Sequence, residues 1–196
     1  MSDPRLAVTS HVGRDILQSA EVFKTEKHVV WEYVSNGLQY VDPGVVPSVR
    51  VAVTDGAQRR IVITDNGRGM RLEGLQNFFV MHGVNEDRKA GRAGRGRFGT
   101  GKSAAFGIAG CLTITTVRGG LATKVRLRRS EIEAMDQGDQ VPVHIVYSEQ
   151  PTDEPNGTAI EISEIAKKRI DLGAIIGFIE NHIARWPHAS VTVNHH

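Results

Sequence analysis

Apolar and polar positions along the chain fall into two recurring patterns, one of helical period and one of period two. SHVGRDILQSAEVF has apolar residues at helical intervals and predicts a short helix. EKHVVWEYVSNGLQYV predicts a longer one, with Thr25 and Glu26 placed to start it and Val29, Val30, Tyr33, Val34, Gly37 and Val41 forming a core stripe. DPGVVPS stops that helix. SVRVAVTD and RRIVITD alternate as strands, and the turn around Gly56 joins them as a hairpin. LEGLQNFFVM returns to helical spacing, and GKSAAFGIAG has the small apolar residues of a helix packed closely on a sheet. CLTITTVRGGLATKVRLRR reads as a strand pair about Gly119 and Gly120, followed by strands in VPVHIVYSE and GTAIEISE. DLGAIIGFIENHIARWP is an amphipathic helix and SVTVN a last strand. Helices and antiparallel hairpins are interspersed without strict alternation, which predicts an α+β two-layer sandwich, not a doubly wound parallel sheet.

Composition narrows the class. With 196 residues, 40% hydrophobic and 23% charged, the chain has the profile of a globular protein with a substantial core. A net charge of +2 is too small to imply a polyanionic partner by itself, but the charge is unevenly placed. Arg88, Lys89, Arg92, Arg95 and Arg97 crowd one polar stretch; Lys124, Arg126, Arg128 and Arg129 follow a second strand-like run and alternate with Val125 and Leu127. The second group fits either a solvated strand face or a nucleic-acid surface. The single Cys111 excludes an internal disulfide and reads as a small buried hydrophobe in a reducing compartment. No signal sequence opens the chain, and no apolar run reaches the roughly 20 residues that span a bilayer. A cytoplasmic protein is expected. The terminal NHH reads as a tag remnant, so His195 and His196 are given no function.

Gly96 to Ser103, GRFGTGKS, fits the phosphate-loop pattern G-x-x-x-x-G-K-[ST]. That loop works between a buried strand and a helix, yet NEDRKAGRAGR precedes it here, and no later strand-like run ends in the Asp that would hold magnesium. The glycines need another setting, and two further segments supply it. In WEYVSN, Glu32 and Asn36 stand four positions apart and share a helix face. Taken alone, the pair fits a solvated surface; flanked by Trp31, Tyr33 and Val34, it also fits a partly buried carboxylate able to act as a base for water, with Asn36 offering an oxygen to magnesium. In VITDNGRGM, an apolar strand ends at Asp65 and enters a turn containing Gly67 and Gly69. Asp65 there is either a turn former or an acceptor for an exocyclic amine such as that of adenine. In GRGRFGTGKSAAF, Gly96, Gly99 and Gly101 precede a predicted helix whose free N–H groups suit a phosphate chain, with Lys102 able to add charge.

Taken in order, EYVSN, DNGRGM and GRFGTGKSAAF resemble the N box, the D-x-G-x-G box and the lid-end glycine box of the GHKL superfamily: gyrase, the ninety-kilodalton heat-shock chaperone, histidine kinases and MutL. NGTAIEIS resembles the late G-T segment, and the match spans about residues 20 to 165. Within the superfamily, GRFGTGKSAAF looks most like the chaperone and Microrchidia branch.

The resemblance implies a Bergerat fold, a mixed and mostly antiparallel sheet with ATP held under a movable lid. Glu32 would activate water and Asn36 would ligate Mg2+. Asp65 would bind the adenine amino group beside Gly67, Gly69, Met70, Gly157 and Thr158. Gly99, Gly101 and Lys102 would meet phosphates, with Gly96 as the hinge of a lid over residues 82 to 98. Gln39 stands where many hydrolysing members have Asp, a departure at the metal site. The expected domain runs over 1–187, with 188–196 opening a following domain cut off as it starts, so that the piece binds nucleotide better than it turns it over. Lid closure and hydrolysis would then drive conformational change or homodimerisation, with DNA or a protein client reached through missing domains and no membrane partner. Two other functions fit the same motifs: a protein kinase of this fold, and a nucleotide sensor without catalysis.

Overall fold

The computed structural model describes residues 5–6, 13–79, 100–136 and 141–194. The described elements, in order, are β1 (Arg5–Leu6), α1 (Gly13–Ala20), α2 (Glu26–Gln39), β2 (Ser48–Thr54), β3 (Arg60–Asp65), α3 (Leu72–Phe79), a 3-10 helix (Thr100–Gly107), β4 (Ala109–Arg118), β5 (Leu121–Arg128), α4 (Arg129–Glu133), β6 (Val143–Pro151), β7 (Gly157–Ile165), α5 (Leu172–His182), a 3-10 turn (Ile183–Arg185) and β8 (Ser190–Val193). The strands form one sheet in the order β1-β6-β5-β4-β7-β3-β2-β8. Every pairing is antiparallel except β2 with β8. This is the two-layer α+β sandwich that the hydrophobic pattern predicts, with the mixed, mostly antiparallel sheet that the resemblance implies.

One sheet face carries the core. Val49 and Val51, Ile61 and Ile63, Ile160 and Ile162, and Leu112 and Ile114 alternate inward along four neighbouring strands and meet Val30, Val34 and Leu38 of α2 in a single buried cluster. α2 in turn packs on α5, whose Ile175 and Ile179 are buried. The predicted stripe of α2 is buried from Val29 to Gly37, and Leu38 joins it, whereas Val41 lies past the helix end and is half-buried. Glu26, a helix starter by sequence, is also buried, with Lys167 Nζ 2.9 Å from its carboxylate.

Three local features depart from expectation. The segment expected to be a helix from Gly101 onward is a 3-10 helix that begins at Thr100, so Gly101 lies within it and does not precede it. Its small residues let the chain pass close to the end of α1 and the turn after it: a Cβ on Gly107 would stand 2.7 Å from the carbonyl oxygen of Ala20 and 2.0 Å from that of Phe23. The end of the strand pair turns into α4 at Arg129, because Ile132 of that short helix is drawn into the core. Ser190–Val193, read as the first strand of a following domain, is instead the edge strand of this same sheet, paired in parallel with Ser48–Val51. Val193 is buried, and Asn194 Oδ1 accepts the Val53 N–H at 2.7 Å. Among the described residues no helix is long and apolar enough to cross a membrane.

Candidate functional site

Asp65 closes β3, where the register sets it between Val49 of β2 and Thr158 of β7. Its Oδ1 accepts two backbone N–H bonds, from Gly67 at 2.8 Å and Thr158 at 3.1 Å. Burial pushes the Asp65 carboxyl above its ordinary range, and the hydrogen bonds from Gly67 and Thr158 work against that rise. Both donors fall on one oxygen, so the carboxylate is fixed in orientation while Oδ2 faces the α2 side. There α2 lacks a side chain: a Cβ on Gly37 would stand 2.8 Å from Asp65 Cβ and 3.3 Å from Oδ2. Gly37, legible only as part of a core stripe, is what lets the helix approach the end of β3.

The turn after Asp65 is built by close backbone approach. The N–H of Arg68 donates to the carbonyl of Tyr40 at 2.9 Å, and a Cβ on Gly67 would lie 2.7 Å from that same oxygen. Gly69 has φ +63°, and a Cβ there would overlap the carbonyl of Val117 at 1.9 Å. Met70 then follows, half-buried, its N–H donating to Thr116 Oγ1 at 2.7 Å. Thr116 is fully buried on β4, with its hydroxyl 3.4 Å from both the Gly157 carbonyl and the Thr158 hydroxyl. Nothing in the sequence singled out Thr116. Its place follows from the pairing of Thr116 with Thr158 across β4 and β7. Asn66 braces the other side of the turn, accepting from Ser48 N–H at 2.8 Å and donating to the Val46 carbonyl at 2.9 Å.

Two turns of α2 carry the second cluster. Glu32 and Asn36 are both half-buried, and the Asn36 side chain is hydrogen-bonded to the Glu32 carboxylate. A carboxylate only accepts, so the Asn36 amide group donates, which leaves its carbonyl oxygen as the atom offered outward. Burial raises the Glu32 pKa above the ordinary carboxylate value, and the bond from Asn36 lowers it again in part. Between them, Tyr33 points inward, 3% exposed, and its hydroxyl accepts the N–H of Ala105 at 3.2 Å. Burial raises the phenol's pKa, so it stays neutral. That bond ties the helix bearing Glu32 to the 3-10 helix that follows the glycine-rich stretch.

The structure thus brings Asp65, Gly67, Gly69, Met70, Gly157 and Thr158 together at the carboxyl end of β3, and places Glu32 and Asn36 on the adjoining helix. Gly101 and Lys102 lie in the first turn of the 3-10 helix. Gly96, Gly99 and the lid expected over 82–98 lie outside the described residues. Among the described residues no three His, Cys, Asp or Glu side chains cluster as a metal site. A magnesium ion that takes one amide oxygen and otherwise phosphate oxygens and water needs no such cluster, so the Asn36 carbonyl fits that role.

A two-layer sandwich with a buried acceptor at the end of a strand, a glycine-built turn beside it and a Glu–Asn pair on the covering helix defines an ATPase domain of the GHKL class. The family described as histidine kinase-, DNA gyrase B- and HSP90-like ATPases matches residues 24–161. This chain belongs to it. It is also 31% identical over 153 residues to the DNA mismatch repair protein MutL of Halobacterium salinarum, in each of two strains, an alignment covering 76% of this chain and 21% of the relative. The chain therefore spans about a fifth of the length of the curated relatives it matches. These relatives are MutL proteins; the chaperone and Microrchidia branch expected from GRFGTGKSAAF is not the one they represent.

Proposed function

We propose that this domain binds ATP with its adenine on Asp65 and hydrolyses it with magnesium. The observation that carries the reading is the Asp65 carboxylate, held by two backbone N–H groups on one oxygen and closely flanked by Gly37, Gly67 and Gly69, where a Cβ would collide with Asp65 itself, the Tyr40 carbonyl or the Val117 carbonyl. An exocyclic amine is the donor such an oriented acceptor selects, and the raised pKa makes the carboxylate a group whose desolvation a ligand's hydrogen bond offsets. Gly157 and Thr158 lie against the same ligand, with Thr116 holding both Met70 and the Thr158 hydroxyl in place.

Glu32 acts as the base. Its raised pKa improves its affinity for a proton of the attacking water, and its bond from Asn36 aims it. The Asn36 carbonyl would hold Mg2+, which when bound neutralises charge on the phosphate oxygens. Gly99, Gly101 and Lys102 meet the phosphates, with Gly96 as a hinge. Closing of residues 82–98 over the nucleotide then drives conformational change or homodimerisation in a larger cytoplasmic protein. Protein clients are reached through parts beyond this domain, and the mismatch-repair title of its relatives supports DNA as a further partner.

Turnover tests the reading. With saturating ATP and magnesium, release of phosphate into solution is expected from the wild type and is expected to fall at least about a hundredfold in Glu32→Gln, at near-unchanged affinity, since loss of a general base costs roughly 10²–10⁴ in rate. Labelled phosphate appearing on protein in place of solution would select the kinase alternative, and equal slow turnover in both proteins would select the sensor.

A further inference from the structure

The sheet has a second face, and among the described residues no helix lies across its middle strands. Arg50 of β2, Arg60 of β3 and Lys124, Arg126 and Arg128 of β5 all point away from the buried core positions of their own strands. The register aligns them. Arg50, Thr64, Ala159, Thr115 and Lys124 form one row across five strands, and Arg126 and Arg128 continue the β5 side opposite Thr113 and Cys111. Cations therefore stand on both sides of a floor of small residues. Four strand spacings separate the two sides, which at ~4.8 Å each is ~19 Å.

These cations are unspent. Arg128 is paired with Glu164, but among the described residues Arg50, Arg60, Lys124 and Arg126 have no ion-pair partner, and the Arg126 Nε is buried without a hydrogen-bond acceptor there. Glu164 of β7 is taken up by Arg128, and Glu161 is the remaining β7 carboxylate on the floor among the described residues, midway between the sides. Between the two sides the described residues of the floor carry no aromatic side chain, and Tyr147 stands outside it on β6 across from Lys124, so the floor offers no run of rings on which successive unpaired bases could stack.

We infer that this open sheet face is a docking surface for duplex nucleic acid, contacted through its phosphates. The span between the cationic sides straddles a major groove of about 12 Å and reaches phosphates on both rims. The central Glu161 then lies beneath the groove, away from the phosphates. Binding of this kind is independent of sequence and sensitive to salt. It uses none of the nucleotide-site residues and stands or falls apart from the ATPase reading.

The test is fluorescence anisotropy with a short labelled DNA duplex, its single strand, and polyglutamate as competitor, on folded proteins matched by thermal melting. One variant carries Arg50→Gln, Lys124→Gln and Arg126→Gln; the control carries Lys24→Gln, Lys27→Gln and Arg185→Gln, an equal loss of charge on the helical layer. Affinity for duplex is expected to fall at least about tenfold in the first variant, and the slope of log affinity against log salt to shrink by roughly 2.7, at about 0.9 per phosphate contact. The control is expected to change little. Equal losses in both variants, tighter binding of the single strand, or displacement of duplex by polyglutamate at matched charge would each overturn the assignment.

Discussion

Gly37→Ala isolates the link between α2 and the candidate nucleotide pocket. In an exposed helix interior this change stabilises by about 0.8–1 kcal/mol, because Gly loses more backbone entropy on folding than Ala. Here the new methyl would stand 2.8 Å from Asp65 Cβ, 3.0 Å from Val49 Cγ2 and 3.3 Å from Asp65 Oδ2. Val49 is 1% exposed and in the core, and Asp65 is held by two backbone bonds, so neither neighbour yields freely. Overpacking of this kind costs roughly 1–3 kcal/mol, which outweighs the propensity gain and leaves a net loss of about 0–2 kcal/mol. For a chain of this size that is a fall in Tm of up to about 8 °C. The displaced carboxylate should also weaken binding of an ATP analogue by at least about tenfold, the loss of about 1.4 kcal/mol. Thermal melting and calorimetric titration read the two effects. A higher Tm with unchanged nucleotide affinity would refute the packing argument, since propensity alone would then be operating.

Tyr33→Phe should lower Tm by roughly 2–6 °C, because the Ala105 N–H loses its buried acceptor at a cost of about 1–1.5 kcal/mol; an unchanged melt would mean that the bond contributes nothing net. Glu32→Gln should raise Tm at neutral pH, since burial makes the ionised Glu32 costly to the fold, and a lower Tm would contradict this. The linkage has a definite sign. The folded pKa of Glu32 lies above its unfolded value, so the native state holds the extra proton, and stability from this group is lost as pH rises from the ordinary carboxylate value through the raised one. Asp65 adds to the same trend, and melts of the wild type and Glu32→Gln should converge as pH falls toward that ordinary value; a gap that widens on acidification would reverse the sign.

Strong periodicity made most elements legible. α2, the β2–β3 hairpin, the β4–β5 pair about Gly119 and Gly120, both with positive φ, and α5 all carry enough repeating residues for the pattern to show. β8 was visible as a strand but not as part of this sheet, because Ser190 pairs with Ser48, far away in sequence, and no local pattern encodes a partner. α4 and β1 are too short for a period to register. The same division holds at the candidate site. Asp65, Gly67 and Gly69 stand out because a charged residue and two glycines break an apolar strand. Thr116 lies inside an ordinary strand, and only the cross-strand register brings it to Met70 and Thr158. Gly37 was seen, but its purpose depends on a neighbour from another strand.

The central claim is that Asp65 receives the adenine. Calorimetric titration of magnesium and a non-hydrolysable ATP analogue into wild type and Asp65→Asn tests it most directly. The amide keeps the shape and replaces a carboxylate acceptor, so loss of one charged hydrogen bond at about 1.5–3 kcal/mol predicts an affinity lower by roughly 10- to 150-fold. Unchanged affinity in Asp65→Asn, with binding abolished by Lys102→Ala, would contradict the account and return the glycine-rich stretch to a phosphate loop of the other kind.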